Sequence, residues 1–69
     1  MKKMNFAVNL HELMNDHKMS QQEVASKIGV SQRAVSKWLR GETEPTATNL
    51  FNLAITFDVS SDYLLGLCE

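Results

Sequence analysis

SQQEVASKIGVSQRAVSKWLRG, residues Ser20 to Gly41, decides the fold. It reads as two short helices on either side of Gly29-Val30-Ser31. The first opens with a capping box: the Ser20 hydroxyl can accept the amide of Glu23, and the Glu23 carboxylate can reach back to the amide of Ser20. Val24, Ala25 and Ile28 turn inward, and Gly29 supplies the left-handed residue of a helix end. Ser31 is a second N-cap. It starts a helix over Gln32 to about Arg40, which Gly41 closes. Ala25 sits where the two helices cross, where a larger side chain would push them apart. Val30 plugs the turn. Val35 and Trp38, with Ala34 alongside, mark the inner face of the second helix. Gln32, Arg33, Ser36, Lys37 and Arg40 are left to face out.

The same signals extend both ways. Upstream, Phe6, Leu10, Leu13 and His17 recur at i, i+4, i+7 and i+11, one stripe of a helix from about Asn5 to His17. Downstream, Glu42-Thr43-Glu44-Pro45 is a loop, and Thr46 caps a fourth helix with Leu50, Leu53, Ala54 and Phe57 on its stripe. Asp58-Val59-Ser60 is a turn, Ser60 caps a short fifth helix carrying Tyr63, Leu64 and Leu65, and Gly66 closes it. No segment alternates with period two for long enough to form a strand. Helices of one to three turns do not hold alone in water, so all five must share one core. With 69 residues the expectation is a single all-α domain over 1–69, its core about 6–66.

Composition narrows the function. At 43% hydrophobic and 22% charged the chain is ordinary globular protein. A single cysteine, Cys68, excludes an intrachain disulfide. Met1-Lys2-Lys3-Met4-Asn5 has no apolar stretch behind it and does not read as a secretory signal, which fits a cytoplasmic location. An enzyme with its own substrate pocket is hard to build in this length. His11 and His17 have no partners at metal-ligand spacing, and the serines read as caps rather than nucleophiles, so no metal, cofactor or catalysis is expected. The net charge of −1 is unevenly spread: residues 17–41 carry +4 and residues 42–69 carry −5. A polyanion meets the local field and can dock on the basic middle; an unevenly solvated surface would look the same.

The outward residues suit the DNA major groove. Gln can bond adenine through donor and acceptor together, and Arg can bond guanine O6 and N7 together. Ser36 is short enough to let the helix approach, and Lys37 can reach a base or a phosphate. Gln21 begins a helix whose amides and dipole can hold a phosphate. The stretch from Ser20 to Gly41 resembles the helix-turn-helix core of the phage repressor and Cro-like family, also called the Xre family. The likeness continues through Pro45, Leu50, Leu53-Ala54 and Val59 to Gly66. It implies a compact five-helix bundle of the lambda-repressor-like type that binds operator DNA as a two-fold dimer. It places Gln32, Arg33 and Lys37 where family members read bases, with Ser36 on the same face, and Gln21, Ser31 and Arg40 where they hold phosphates. Two departures stand out. Many members pair an Arg at the position of Met14 with a Glu at that of Leu39. Here both are apolar, an ion pair exchanged for a contact, which is often neutral or stabilising. The connection at Glu42 and Glu44 is acidic where a base could have touched the DNA backbone.

The expected function is a sequence-specific DNA-binding transcriptional regulator, a repressor of phage, prophage or mobile-element type. It would insert the helix Gln32–Arg40 into the major groove of a palindromic operator. The alternatives are the antitoxin of a toxin–antitoxin pair using the same DNA face, and an interaction module without DNA binding. A weak homodimer, formed mainly on double-stranded DNA, is expected to pair near the fourth and fifth helices through part of Phe51, Ile55, Leu65 and Leu67. Asp58, Asp62 and Glu69 would limit that pairing.

Overall fold

Four hydroxyl side chains set where the helices begin. In the computed structural model, which describes residues 4–67, Ser20, Ser31, Thr46 and Ser60 all stand in extended backbone. Each side-chain oxygen accepts the amide three residues on, at 3.1 to 3.2 Å. They open α2 (Gln21–Ile28), α3 (Gln32–Leu39), α4 (Ala47–Phe57) and α5 (Ser61–Leu65). The expected capping box is complete, with the Ser20 amide donating to the Glu23 carboxylate at 3.0 Å. α1 (Phe6–His17) begins instead at Asn5, whose side chain makes no cap bond.

The helix ends divide into two kinds. Gly29, Gly41 and Gly66 close α2, α3 and α5 at positive φ. α1 and α4 end on Lys18 (φ 53) and Asp58 (φ 55), left-handed residues with side chains. Arg40 is the C-cap of α3 rather than its last helical residue. At Gly66 the conformation and the space agree: a Cβ there would lie 3.2 Å from Asn5. The end of α5 is tied to the start of α1, with the Asn5 amide donating to the Leu65 carbonyl at 3.4 Å and Asn9 Nδ2 donating to the Tyr63 carbonyl at 2.8 Å.

All five helices contribute to one apolar cluster, and no polar side chain among the described residues is buried. α1 gives Phe6, Leu10, Leu13 and Met14; α2 gives Val24, Ala25 and Ile28; α3 gives Val35, Trp38 and Leu39; α4 gives Leu53 and Phe57; α5 gives Leu64. Leu50, Ala54 and Tyr63 lie half-buried against it, as do Met19 and Val30. One position of the α1 stripe departs from expectation. His17 is exposed, its ring meeting the edge of Phe57 at 5.1 Å. By angle His17 is still on the stripe, only about 20° from Phe6, but it is the last residue of α1, and the buried face ends one turn earlier with Leu13 and Met14. α3 packs on α1 and α2, while α4 packs on α2 and α5.

Met14 and Leu39 are both buried, at 8% and 9% exposure, in this cluster on the packed pair α1 and α3. Met14→Arg alone should cost about 3 kcal/mol, since it buries a cation without a partner. Adding Leu39→Glu should recover part of the loss. Urea unfolding of the two variants measures both; a double variant no more stable than the single one would separate the two positions.

Candidate nucleic-acid interface

The face of α3 follows from its inner anchors. Successive residues turn by about 100°, so Gln32, Arg33, Ser36, Lys37 and Arg40 fall within about 140° of one another. Ala34, Val35, Trp38 and Leu39 fill the opposite arc. Val35 is fully buried and Trp38 is 4% exposed. Trp38 meets Phe6 edge-on, ring centroids 6.2 Å apart, and so belongs to the core rather than to a stacking platform. On the outer arc Gln32, Arg33 and Arg40 are exposed, and Ser36 and Lys37 are half-buried.

The turn ahead of α3 is fixed by backbone bonds. The amides of Gly29 and Val30 both donate to the Ala25 carbonyl, at 2.9 and 3.0 Å. Gly29 has φ 77, and a Cβ there would meet nothing within 4 Å. Its role is therefore conformational, not steric. Ser31 follows at once, and its hydroxyl oxygen accepts the Ala34 amide at 3.1 Å. The hydroxyl proton remains available to donate to a phosphate. At the start of α2 the capping box engages the amides of Ser20 and Glu23 and takes neither that of Gln21 nor that of Gln22. Gln21 itself is half-buried.

The far end of α3 holds an interaction that sequence periodicity does not reveal. The Arg40 guanidinium donates to the Glu42 carboxylate and, at 2.5 Å, to the Ser36 hydroxyl. The Glu42 hydrogen bond and charge raise the pKa of Arg40, and the bond from Arg40 holds the Glu42 carboxyl below its ordinary value. Three residues expected to act separately, as base contact, phosphate contact and acidic obstacle, thus form one chain. The signal for it is faint: positions 40 and 42 are not at helical pairing distance, and only the turn at Gly41 brings them together. Among the described residues no group of His, Cys, Asp or Glu is placed to hold a metal ion, and His11 is exposed. Cys68 lies outside the described residues.

Residues 10–64 match the helix-turn-helix family model. The chain belongs to the helix-turn-helix family. The repressor and Cro-like resemblance holds in sequence and in fold. The chain is 37% identical over 60 residues to the HTH-type transcriptional regulator YqaE of Bacillus subtilis, covering 87% of this chain and 52% of that protein. A crystal structure of a transcriptional regulator from Listeria innocua superposes with a TM-score of 0.91 at 32% identity, over 99% of this chain and 64% of that one. The c2 repressor of phage P22, solved in complex with a synthetic operator, superposes with a TM-score of 0.85 at 34% identity, over 90% of this chain and 94% of that one. The chain spans about half the length of the first curated relatives it matches.

In this helix-turn-helix chain the Ser31 cap fixes the start of α3. Ser31→Ala should lower stability by about 1 kcal/mol, and Ser31→Asn, an equally good cap, should not. Urea midpoints of the two variants decide; equal losses would mean that the cap bond contributes nothing.

Proposed function

We propose that this chain is the DNA-binding unit of a transcriptional repressor and that it reads an operator with α3 in the major groove. The observation that carries this is the outer face of α3, where Gln32, Arg33, Ser36, Lys37 and Arg40 lie together while α1 and α2 cover only the opposite face. A relative with this fold was solved on operator DNA, which supports the reading. Gln32 and Arg33 are assigned to bases, with Ser36 and Lys37 behind them. Gln21, Ser31 and Arg40 are assigned to phosphates. The proposed role is non-enzymatic and cytoplasmic, in keeping with the regulator family to which the chain belongs. No helix among the described residues is long and apolar enough to cross a membrane.

One α3 offers too few base contacts to pick one site from a genome, so two copies must read two half-sites, ~34–36 Å apart along the duplex. The pairing surface is assigned to α4 and the segment after α5. Phe51 and Ile55, one turn apart on α4, are 63% and 67% exposed, and Leu67 is 59% exposed. Leu65 is half-buried and contributes less. Met4 and Val8 are also exposed, at the other end of the sequence.

Selection from random duplexes, read by sequencing, should enrich a palindromic pair of half-sites. Arg33→Ala should cost ~1–3 kcal/mol on the selected duplex and relax one base position, while Gln21→Ala should weaken all duplexes alike. Parental selectivity in both variants would remove α3 from the groove. Sedimentation at micromolar protein should find a monomer alone and two copies on the palindrome, through an interface below ~1,200 Å². Ile55→Lys should reduce the second copy's binding. Saturation at one copy per palindrome would overturn the dimer.

A further inference from the structure

We propose that Glu42 sets the DNA affinity of this site by competing with the phosphate backbone for Arg40. The proposal rests on α3 being the DNA-facing helix. In the free protein the Arg40 guanidinium lies back along α3, shared between the Ser36 hydroxyl and the Glu42 carboxylate. It is thus held by two groups of its own chain at the place assigned to a phosphate contact.

The position of Glu42 is built into the backbone. The Gly41 amide donates to the Trp38 carbonyl at 3.1 Å, and the Glu42 amide donates to the Lys37 carbonyl at 2.9 Å. With Gly41 at φ 74, this is the paired closure of a helix by a left-handed glycine. Residue 42 is therefore anchored directly after the last turn of α3, within reach of the last cation of its outer face. The positive charge of Lys37 also stabilises the carboxylate. One acid so offsets the basic end of the helix.

The pair is also easy to displace. Its two side chains are 53% and 51% exposed, and exposed ion pairs shift an equilibrium by a factor of only about two to five. A phosphate oxygen is a charged acceptor of comparable strength. DNA therefore takes Arg40 from Glu42 at a modest cost. That cost is the same on every sequence, because the phosphate carries no base information. Glu42 lowers affinity everywhere and leaves base selectivity to Gln32 and Arg33. It also removes about one unit from the salt dependence per bound copy, since Arg40 arrives already neutralised.

The test is a cycle of the full chain, Glu42→Gln, Arg40→Ala and the double variant. Each is titrated onto the selected duplex and onto an unrelated one across a range of salt. Glu42→Gln should bind both duplexes about two- to fivefold more tightly per copy, with a salt slope steeper by about one unit. In the Arg40→Ala background the gain should fall to less than half. Weaker binding by Glu42→Gln would mean that Glu42 holds Arg40 in its productive pose, and overturns the competition. An equal gain in the Arg40→Ala background would make Glu42 a bare repulsive charge, and overturns it too. A gain confined to the selected duplex would make residue 42 a reader of bases, which also rejects the competition. A parent chain that binds neither duplex overturns the DNA reading and the competition together, whereas the other failures leave the DNA reading standing.

Discussion

The burial of Val35, Trp38 and Leu39 is the constraint on which the rest depends. α3 has eight residues, about 12 Å of helix, and no such segment is stable alone in water. It exists because those three side chains, with Ala34 half-buried beside them, lie in a cluster supplied by every other helix. An apolar arc that complete has one geometric consequence. The remaining arc carries no residue the core can use, so its chemistry is free of packing demands. Glutamine, arginine, serine and lysine can sit there together because none of them is needed for stability.

Register matters as much as burial. A start displaced by one residue would rotate the outer face by about 100° and exchange Arg33 for an apolar neighbour. Two local devices prevent this. The Ser31 cap fixes the first turn, and the Gly29 and Val30 amides, both returned to the Ala25 carbonyl, fix the approach. Ala25 is 3% exposed, a small side chain between two helices that pack together. The aim of the candidate DNA face is thus set from behind it, by residues that no DNA would touch.

Most of the fold is legible in the sequence because its determinants are local. A hydroxyl three residues before the amide it accepts, or a glycine after a helical stripe, can be read from spacing alone. All four hydroxyl caps and the three glycine ends are of this kind. Lys18 and Asp58 escape such a reading because they adopt a glycine-like conformation without being glycine; the backbone bonds that close α1 and α4 offset the strain. His17 reads as inward because its angle on the stripe is right, but it is the last residue of α1 and lies past the end of the buried face, a boundary that periodicity does not mark. At the candidate site the outward set on α3 is legible, since it is the complement of the anchors. The Arg40–Glu42 pair is not, because it crosses a change in backbone direction that periodicity does not describe.

That pair also explains why net charge is a poor guide to this molecule. The chain carries −1 overall, a value that argues against a polyanionic partner if taken as a sum. Charges separated by more than ~8 Å are largely screened at physiological salt. What a phosphate meets is therefore decided by the groups beside α3, not by the acids of the whole chain. Among the acids Glu42 counts most, because it touches Arg40 directly and acts on Lys37 as well. A module whose neighbouring acid takes up one of its own cations lowers its grip on every duplex by the same factor, so the ratio between duplexes is left to the base contacts. With α3 in the groove as proposed, Glu42 sets how tightly the site binds any duplex, while Gln32 and Arg33 set which duplex it prefers.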